Sequence, residues 1–329
     1  MADSMDFSRK PVLVLGASGF IGSQLVVALS GSRTYRAVAA SRRGAGAALD
    51  ATNAADVRAA LRDVDCVANC IDGYGMVRST GVLCEAARAL PPRRIVHLSS
   101  MAVYGAATGT VREDQAPVSP IGDYGQAKIA CERAVRKYVD DGGDAVILRP
   151  GCVFGPGSVQ WTTRLARLLE ARRIGDLGSA GDGRCNLAFI DDVVTGIISA
   201  LDASGISGRT FNICSSAELT WNEFLVAFAK ALDAIPVRRV APRMLAIETR
   251  FLAPLRRIAA MAVSSPATEA ITPSLAALWH QDIRIDCSAA ISALGLPRTP
   301  PDRMIAAAVR WLKSAPVSTR RGWMEPAHS

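Results

Sequence analysis

The 329-residue sequence is poor in aromatic residues and lacks the long apolar runs and paired cysteines that mark several protein classes. Phe, Trp and Tyr together make up 5% of the chain, so the stacking surfaces that single-stranded nucleic acids require are not expected. No run of about 18 apolar residues is present, which argues against a membrane-spanning helix. Eight cysteines occur without a CxxC pair or a metal-ligand spacing. We expect reduced, buried thiols in a cytoplasmic protein, and no metal site.

The basic excess of the chain is dispersed. The formal net charge is +8, and only short clusters such as residues 42–43 and 256–257 concentrate it. We therefore expect a small molecule as the ligand and no nucleic-acid partner. The apolar segment 243–263 is interrupted by Arg250 and Pro254. This pattern predicts lid or core helices without a membrane span, and a weak association with a membrane surface stays open.

Short apolar runs alternate with helical patterns through the first half of the chain. Strands are predicted at residues 11–16, 35–41, 65–70, 93–100 and 144–151, and helices at residues 20–31, 54–64, 81–90 and 123–143. This alternation predicts an α/β fold with a doubly wound parallel sheet of the Rossmann type. The nucleotide-binding core is predicted over residues 10–155, completed by segments near 187–214. A smaller, mostly helical substrate lobe over residues 156–314 is interleaved with it, and residues 315–329 form a flexible tail.

The segment "LGASGFIG" (15–22) places Gly16, Gly19 and Gly22 between a predicted strand and a predicted helix. In that setting the first glycine permits a tight turn, the second lets a diphosphate approach the backbone, and the third lets helix and strand pack closely. The helix N-terminus adds unpaired N–H groups and a partial positive charge. The spacing predicts a dinucleotide-binding loop, whose contacts include Ser18, Phe20 and Ile21.

The end of the second strand indicates which nicotinamide dinucleotide is bound. NAD-specific folds hold the ribose hydroxyl groups with an acidic side chain at this point. Here Ser41 occupies the place, and Arg42 and Arg43 follow it. A guanidinium group pairs well with a 2′-phosphate. We therefore expect NADP as the cofactor in preference to NAD.

Several further segments resemble the extended short-chain dehydrogenases/reductases, the NAD-dependent epimerase/dehydratase family. They are "HLSSMAVYG" (97–105), "LRPGCVFGPG" (148–157), "GDGRCNLAFIDDV" (181–193) and the Tyr-x-x-x-Lys pair of Tyr124 and Lys128. Together with the glycine spacing, the resemblance extends over nearly the whole chain. It implies an NAD(P)-dependent enzyme of this family.

The resemblance implies a catalytic group of Ser100, Tyr124 and Lys128. Tyr124 would be the acid and base, although its ordinary pKa near 10 makes a tyrosine a poor base at neutral pH. Lys128, one helical turn away, would favour the phenolate and anchor the nicotinamide ribose. Ser100 would hydrogen-bond the substrate oxygen. The resemblance also implies cofactor contacts at Asp50, Ala51 and Pro150, and substrate contacts at Tyr104, Trp161 and Asn186.

The sequence departs from the family pattern at three places. Met76 stands where an asparagine is common, and no Asp-Glu pair follows Ser100, which argues against a dehydratase. The Arg-x-Gly-Asp element of nucleotide-sugar epimerases is absent from residues 278–290. The apolar residues 236–278 resemble the lobe of 3β-hydroxysteroid-dehydrogenase-like members.

The resemblance therefore implies reversible hydride transfer between the nicotinamide and a secondary alcohol or ketone. A nucleotide-sugar epimerase that oxidises its substrate transiently is the first alternative. A non-catalytic NADP-sensing regulator is the second. A homodimer formed partly by the helix that begins near Tyr124 is consistent with the sequence.

Overall fold

Seven parallel strands form the central sheet of the structure, a computed structural model that describes residues 9–42, 47–89, 94–116, 122–215, 218–256 and 270–314. The strands are β1 (Lys10–Leu15), β2 (Tyr35–Ser41), β3 (Ala47–Ala48), β4 (Cys66–Asn69), β5 (Arg94–Leu98), β6 (Gly109–Val111), β7 (Ala145–Pro150), β8 (Cys152–Phe154), β9 (Leu187–Phe189), β10 (Thr210–Ile213) and β11 (Ile283–Ile285). The sheet order is β10-β7-β5-β4-β1-β2-β3. Between β4 and β1 the order changes direction, and a cleft at this switch point is where such sheets bind ligands.

Helices cover both faces of the sheet. They are α1 (Phe20–Ser30), α2 (Ala54–Leu61), α3 (Met76–Arg88), α4 (Gly122–Asp140), α5 (Arg164–Glu170), α6 (Ile190–Asp202), α7 (Trp221–Ala231), α8 (Pro242–Ile247), α9 (Pro273–His280), α10 (Ser288–Leu294) and α11 (Pro301–Ser314). Side chains alternate along β1: Val12 and Val14 join one core cluster with α1 and α6, and Leu13 and Leu15 join another with α2, α3 and α4. The predicted doubly wound α/β fold is confirmed.

The remaining strands pair outside the central sheet. β8 pairs with β9, and β6 pairs with β11, both in parallel. Beside β8 an aromatic cluster forms where Phe154 meets Phe224 and Phe228 with ring centroids 5.3 and 5.4 Å apart.

No helix within the described residues is both long and apolar enough to span a bilayer. The predicted flexible tail lies outside the described residues.

Two helix starts show how local sequence fixes the elements. The Asn53 side chain accepts a hydrogen bond from the Ala55 amide at 2.9 Å, and this cap begins α2 where it was predicted. In contrast, α3 begins at Met76, five residues before the predicted start at residue 81. Gly75, with φ +88°, ends the preceding loop in a left-handed conformation.

Candidate active site

The glycine loop between β1 and α1 has the backbone geometry of a phosphate-binding turn. Gly16 has φ +78°, which residues with a side chain rarely adopt. A Cβ at Gly22 would lie 2.2 Å from the Gly16 carbonyl oxygen, so only glycine permits this approach of α1. No side chain caps α1 at Gly19, which leaves helix N–H groups available to an anion. These residues fit the diphosphate of a dinucleotide. The predicted contacts Ser18, Phe20 and Ile21 lie at the end of the loop and the start of α1.

The carboxyl end of β2 lies beside this loop and ends without an acidic side chain. Ser41 is buried at the end of the strand, and Arg42 is exposed. Asp50 Oδ1 accepts hydrogen bonds from the Thr52 amide at 2.9 Å and the Thr52 hydroxyl at 2.7 Å. These bonds lower the pKa of the Asp50 carboxyl. Ala51 is buried next to it. A nucleotide bound at the glycine loop would therefore meet an exposed guanidinium group here.

Tyr124 and Lys128 lie side by side on α4. The Lys128 ammonium group is 5.5 Å from the centroid of the Tyr124 ring, and its Nζ donates a hydrogen bond to the Leu98 carbonyl at 3.1 Å. Lys128 is 2% exposed, whereas Tyr124 is 41% exposed and open to a substrate. Leu98 ends β5, and the predicted cofactor contact Pro150 ends the adjacent strand β7. The pair therefore lies at the carboxyl end of the sheet.

Ser100 reaches this pair from the loop after β5. Its side chain accepts a hydrogen bond from the Ala102 amide at 3.2 Å and lies close enough to the Tyr124 hydroxyl to influence its pKa. Loss of hydration around the Tyr124 hydroxyl raises its pKa to about 12. The Lys128 charge and the Ser100 side chain act in the opposite direction. The structure thus brings together Ser100, Tyr124 and Lys128, as the sequence predicts.

Asp72 is a residue of this site that the sequence analysis missed. It follows β4, and its Oδ1 lies 3.1 Å from Lys128 Nζ. Its Oδ2 accepts a hydrogen bond from the Tyr124 hydroxyl at 3.5 Å. Burial opposes a charge on Lys128, but Tyr124 and Asp72 outweigh it and raise the pKa of Lys128. We call Asp72, Ser100, Tyr124 and Lys128 the acid–base cluster.

Tyr104, predicted to contact substrate, instead belongs to a buried polar network. It is 1% exposed, and its hydroxyl donates to Asn212 Oδ1 at 2.6 Å and accepts from Arg149 Nη1 at 3.0 Å. Arg149 also donates from Nε and Nη2 to the two carboxylate oxygens of Glu132, each at 2.8 Å. The Ser99 hydroxyl donates to Glu132 at 2.6 Å. Because the Tyr104 hydroxyl is enclosed, it is not available to a substrate in this structure.

Asn186 and Trp161, the other predicted substrate contacts, also have packing partners. Asn186 is 1% exposed; its Nδ2 donates to the Ile283 carbonyl at 2.7 Å, and its Oδ1 accepts from the Ile285 amide at 3.1 Å. It therefore connects β9 to β11. Trp161 is half-buried, with its ring centroid 5.9 Å from that of Trp221. Of the three, only Trp161 retains exposed surface that could line a pocket.

The fold and the site together define a class of protein. A doubly wound sheet with a glycine loop at its switch point is the geometry that binds dinucleotides, and the cluster of Asp72, Tyr124 and Lys128 lies beside that loop. Residues 12–214 match the "NAD dependent epimerase/dehydratase family". The chain belongs to this family, and it is an NAD(P)-dependent enzyme of the extended short-chain dehydrogenase/reductase type.

Individual relatives include both epimerases and oxidoreductases. A UDP-glucose 4-epimerase from Vibrio cholerae is 24% identical over 250 residues, which cover 68% of this chain and 76% of that protein. A dTDP-6-deoxy-L-talose 4-dehydrogenase (NAD(P)(+)) from Kitasatospora kifunensis is 34% identical over 191 residues, covering 50% and 60%. The solved structure of UDP-glucuronic acid 4-epimerase from Bacillus cereus in complex with NAD superposes with a TM-score of 0.70 at 22% identity, covering 92% and 99%. This last likeness shows the fold.

Proposed function

We propose that the protein catalyses reversible hydride transfer between NADP(H) and a secondary alcohol or ketone of a nucleotide-linked sugar. The observation that carries this proposal is the arrangement of Tyr124 beside Lys128, with Ser100 in the neighbouring loop after β5, at the carboxyl end of the sheet. The sugar nucleotide is supported by the substrates that the names of the relatives print. The predicted likeness of the C-terminal lobe to 3β-hydroxysteroid-dehydrogenase-like members stays a prediction, and an apolar alcohol is the other substrate class it implies.

Each residue of the Ser-Tyr-Lys group has a separate task. The nicotinamide, when bound, exchanges a hydride with the substrate carbon. Ser100 holds the substrate oxygen by a hydrogen bond. In ketone reduction the Tyr124 O–H bond breaks and the proton moves to that oxygen; in alcohol oxidation the phenolate takes a proton from it. The buried ammonium group of Lys128 stabilises the phenolate and would hold the ribose hydroxyl groups of a bound nucleotide.

The proposed function is tested by following nicotinamide absorbance with purified protein, NADPH and a nucleotide-linked 4-keto-6-deoxysugar. We expect absorbance to fall in proportion to the alcohol formed. An epimerase, the alternative that the Vibrio cholerae relative favours, would instead convert UDP-glucose to UDP-galactose with no net change in absorbance. NADP binding without conversion of either class of substrate would contradict the proposed reaction and is the result that the sensor alternative predicts. The complete Ser-Tyr-Lys group argues against a sensor, which has no need of a proton donor.

The preference for NADP is the part of the proposal that depends on Arg42. The exposed side chain follows β2, where the ribose of a nucleotide at the glycine loop would lie. Arg43 lies outside the described residues. A 2′-phosphate would form charge-assisted hydrogen bonds with the Arg42 guanidinium group. A 2′-hydroxyl would gain much less binding free energy from the same contact.

Replacing Arg42 with Glu is expected to raise the NADPH dissociation constant by about 10- to 100-fold, the effect of losing a hydrogen bond to a charged group. The NADH dissociation constant should change little. Titration with each nucleotide, followed by nicotinamide fluorescence, measures both constants. Arg33→Glu is the matched control, because it makes the same charge change at the exposed amino end of β2. Equal weakening of NADPH and NADH by Arg42→Glu would contradict the assignment.

Two further predictions complete the proposal. All eight cysteines are free thiols, which supports a reducing compartment such as the cytoplasm. A homodimer in which α3 and α4 of each subunit form a four-helix bundle is compatible with the packing of α3 against α4 in one subunit.

A further inference from the structure

Asp72 occupies a position between the glycine loop and the acid–base pair. The backbone of Cys70 and Ile71 approaches Gly16 so closely that a Cβ on Gly16 would lie 2.9 Å from the Cys70 carbonyl group. The Ile71 amide donates to Asn69 Oδ1 at 3.3 Å, which shapes the turn that leads to Asp72. From this turn the Asp72 carboxylate contacts Lys128 on one side and Tyr124 on the other. The side chain is 59% exposed, so solvent also reaches it.

Three elements present polar groups to the Tyr124 hydroxyl. Lys128 comes from α4, Ser100 from the loop after β5, and Asp72 from the loop after β4. The first two favour a phenolate, and Asp72 opposes it, because a carboxylate repels a second negative charge and accepts a hydrogen bond from the neutral phenol. Asp72 therefore acts on Tyr124 in the opposite direction to the rest of the cluster.

Four other titratable groups near Tyr124, among the residues that the structure describes, do not change charge around neutral pH. Burial lowers the pKa of His97 to about 3 and raises the pKa of the Cys70 thiol to about 12. Burial also raises the pKa of the Cys131 thiol, and Arg149 outweighs burial to lower the pKa of Glu132. These surroundings leave Asp72 and Lys128 as the charges that control Tyr124.

We propose that Asp72 is a positioning residue that accepts a hydrogen bond from the Tyr124 hydroxyl and stabilises its protonated form, which donates a proton to a ketone, relative to the phenolate. This inference rests on the proposed function. When the ketone carbon gains a hydride, the Tyr124 proton forms the new O–H bond of the alcohol. The resulting phenolate, paired with Lys128, recovers a proton from solvent. Asp72 stabilises the recovered O–H by accepting its hydrogen bond.

The test measures ionisation of Tyr124 in the free protein, without turnover. Tyrosinate absorbance is recorded immediately after a jump to alkaline pH, before unfolding, and the signal of the Tyr124→Phe variant is subtracted. The wild-type midpoint is expected near pH 12. Asp72→Asn keeps the shape of the side chain but removes its charge, and should lower the midpoint by about one unit. Asp72→Glu should retain the high midpoint, and Asp123→Asn, an exposed carboxylate on the same helix turn, should leave it unchanged.

A second readout is the pH dependence of kcat/KM for alcohol oxidation, which needs the phenolate and reports the free enzyme. Its acidic limb should move to lower pH in Asp72→Asn by the same amount. Unmoved midpoints and limbs in Asp72→Asn would overturn the inference while leaving the proposed function intact. Equal shifts in Asp72→Asn and Asp72→Glu would also overturn it, because they would show an effect of shape and not of charge. If no substrate turned over, the proposed function would fail, and the titration alone would still decide the role of Asp72.

Discussion

Replacing Tyr124 with Phe is expected to lower kcat by about 10²- to 10⁴-fold, the usual contribution of a positioned acid or base. The change removes one hydroxyl group from a side chain that is 41% exposed, so it should not disturb the packing of α4. Lys128 keeps its hydrogen bond to the Leu98 carbonyl. The affinity for NADPH should therefore change little, and the loss should appear in the chemical step.

The measurement is single-turnover hydride transfer, with NADPH affinity determined separately by fluorescence. Tyr74→Phe is the matched control, because it removes the same hydroxyl group from another tyrosine. Tyr74 is 90% exposed and lies in the loop that carries Asp72. This variant should retain wild-type kcat. If Tyr124→Phe kept activity within a few-fold of the wild type, Tyr124 could not be the proton donor. If it lost NADPH binding in parallel, its role would be to hold the nucleotide.

Features formed by neighbouring residues could be predicted from the sequence. Three such features are the glycine loop, the Asn53 cap and the Tyr124–Lys128 pair. The residues within each feature are only a few positions apart in the sequence. Their geometry follows from a single turn of backbone, and the residue types alone imply it. The alternation of strands and helices likewise predicted the doubly wound sheet, which the structure and the family membership confirm.

Contacts between distant segments could not be predicted in this way. Asp72 lies 52 positions before Tyr124, in a glycine-rich loop where one aspartate has no recognisable pattern. The same limit applies to Tyr104, whose hydroxyl is bound by Asn212, 108 positions away. Strands β6 and β11 are three residues each, too short for an alternating pattern, and they pair across the chain. Burial of the polar groups of Tyr104 and Asn186 depends on these pairings.

The buried network around Glu132 is expected to dominate the response of stability to mutation. Glu132 is fully buried and accepts hydrogen bonds from Arg149 and Ser99, and from Arg136 Nη2 at 2.7 Å. Replacing Glu132 with Gln removes the charge that compensates the Arg149 guanidinium group, which is 1% exposed. The Gln side chain would also direct an N–H donor toward groups that are themselves donors, such as the Arg149 guanidinium group and the Ser99 hydroxyl. We expect the free energy of unfolding to fall by about 3–5 kcal/mol, the cost of breaking one side of a buried ion pair.

Urea denaturation of Glu132→Gln, followed by circular dichroism, measures this loss. Arg136→Gln is the control: its side chain is 42% exposed and contacts the same carboxylate, so its loss should cost no more than about 1 kcal/mol.

The pH dependence separates charge from packing. The pKa of Glu132 is lowered in the folded protein, with Arg149 outweighing burial. Its stabilising contribution is therefore present above its unfolded pKa of about 4 and is lost as pH falls through the lower folded pKa. The difference in stability between wild type and Glu132→Gln should thus shrink in acid. A difference that stays constant with pH would mean that the loss comes from the amide donor of Gln facing other donors, and not from the missing charge.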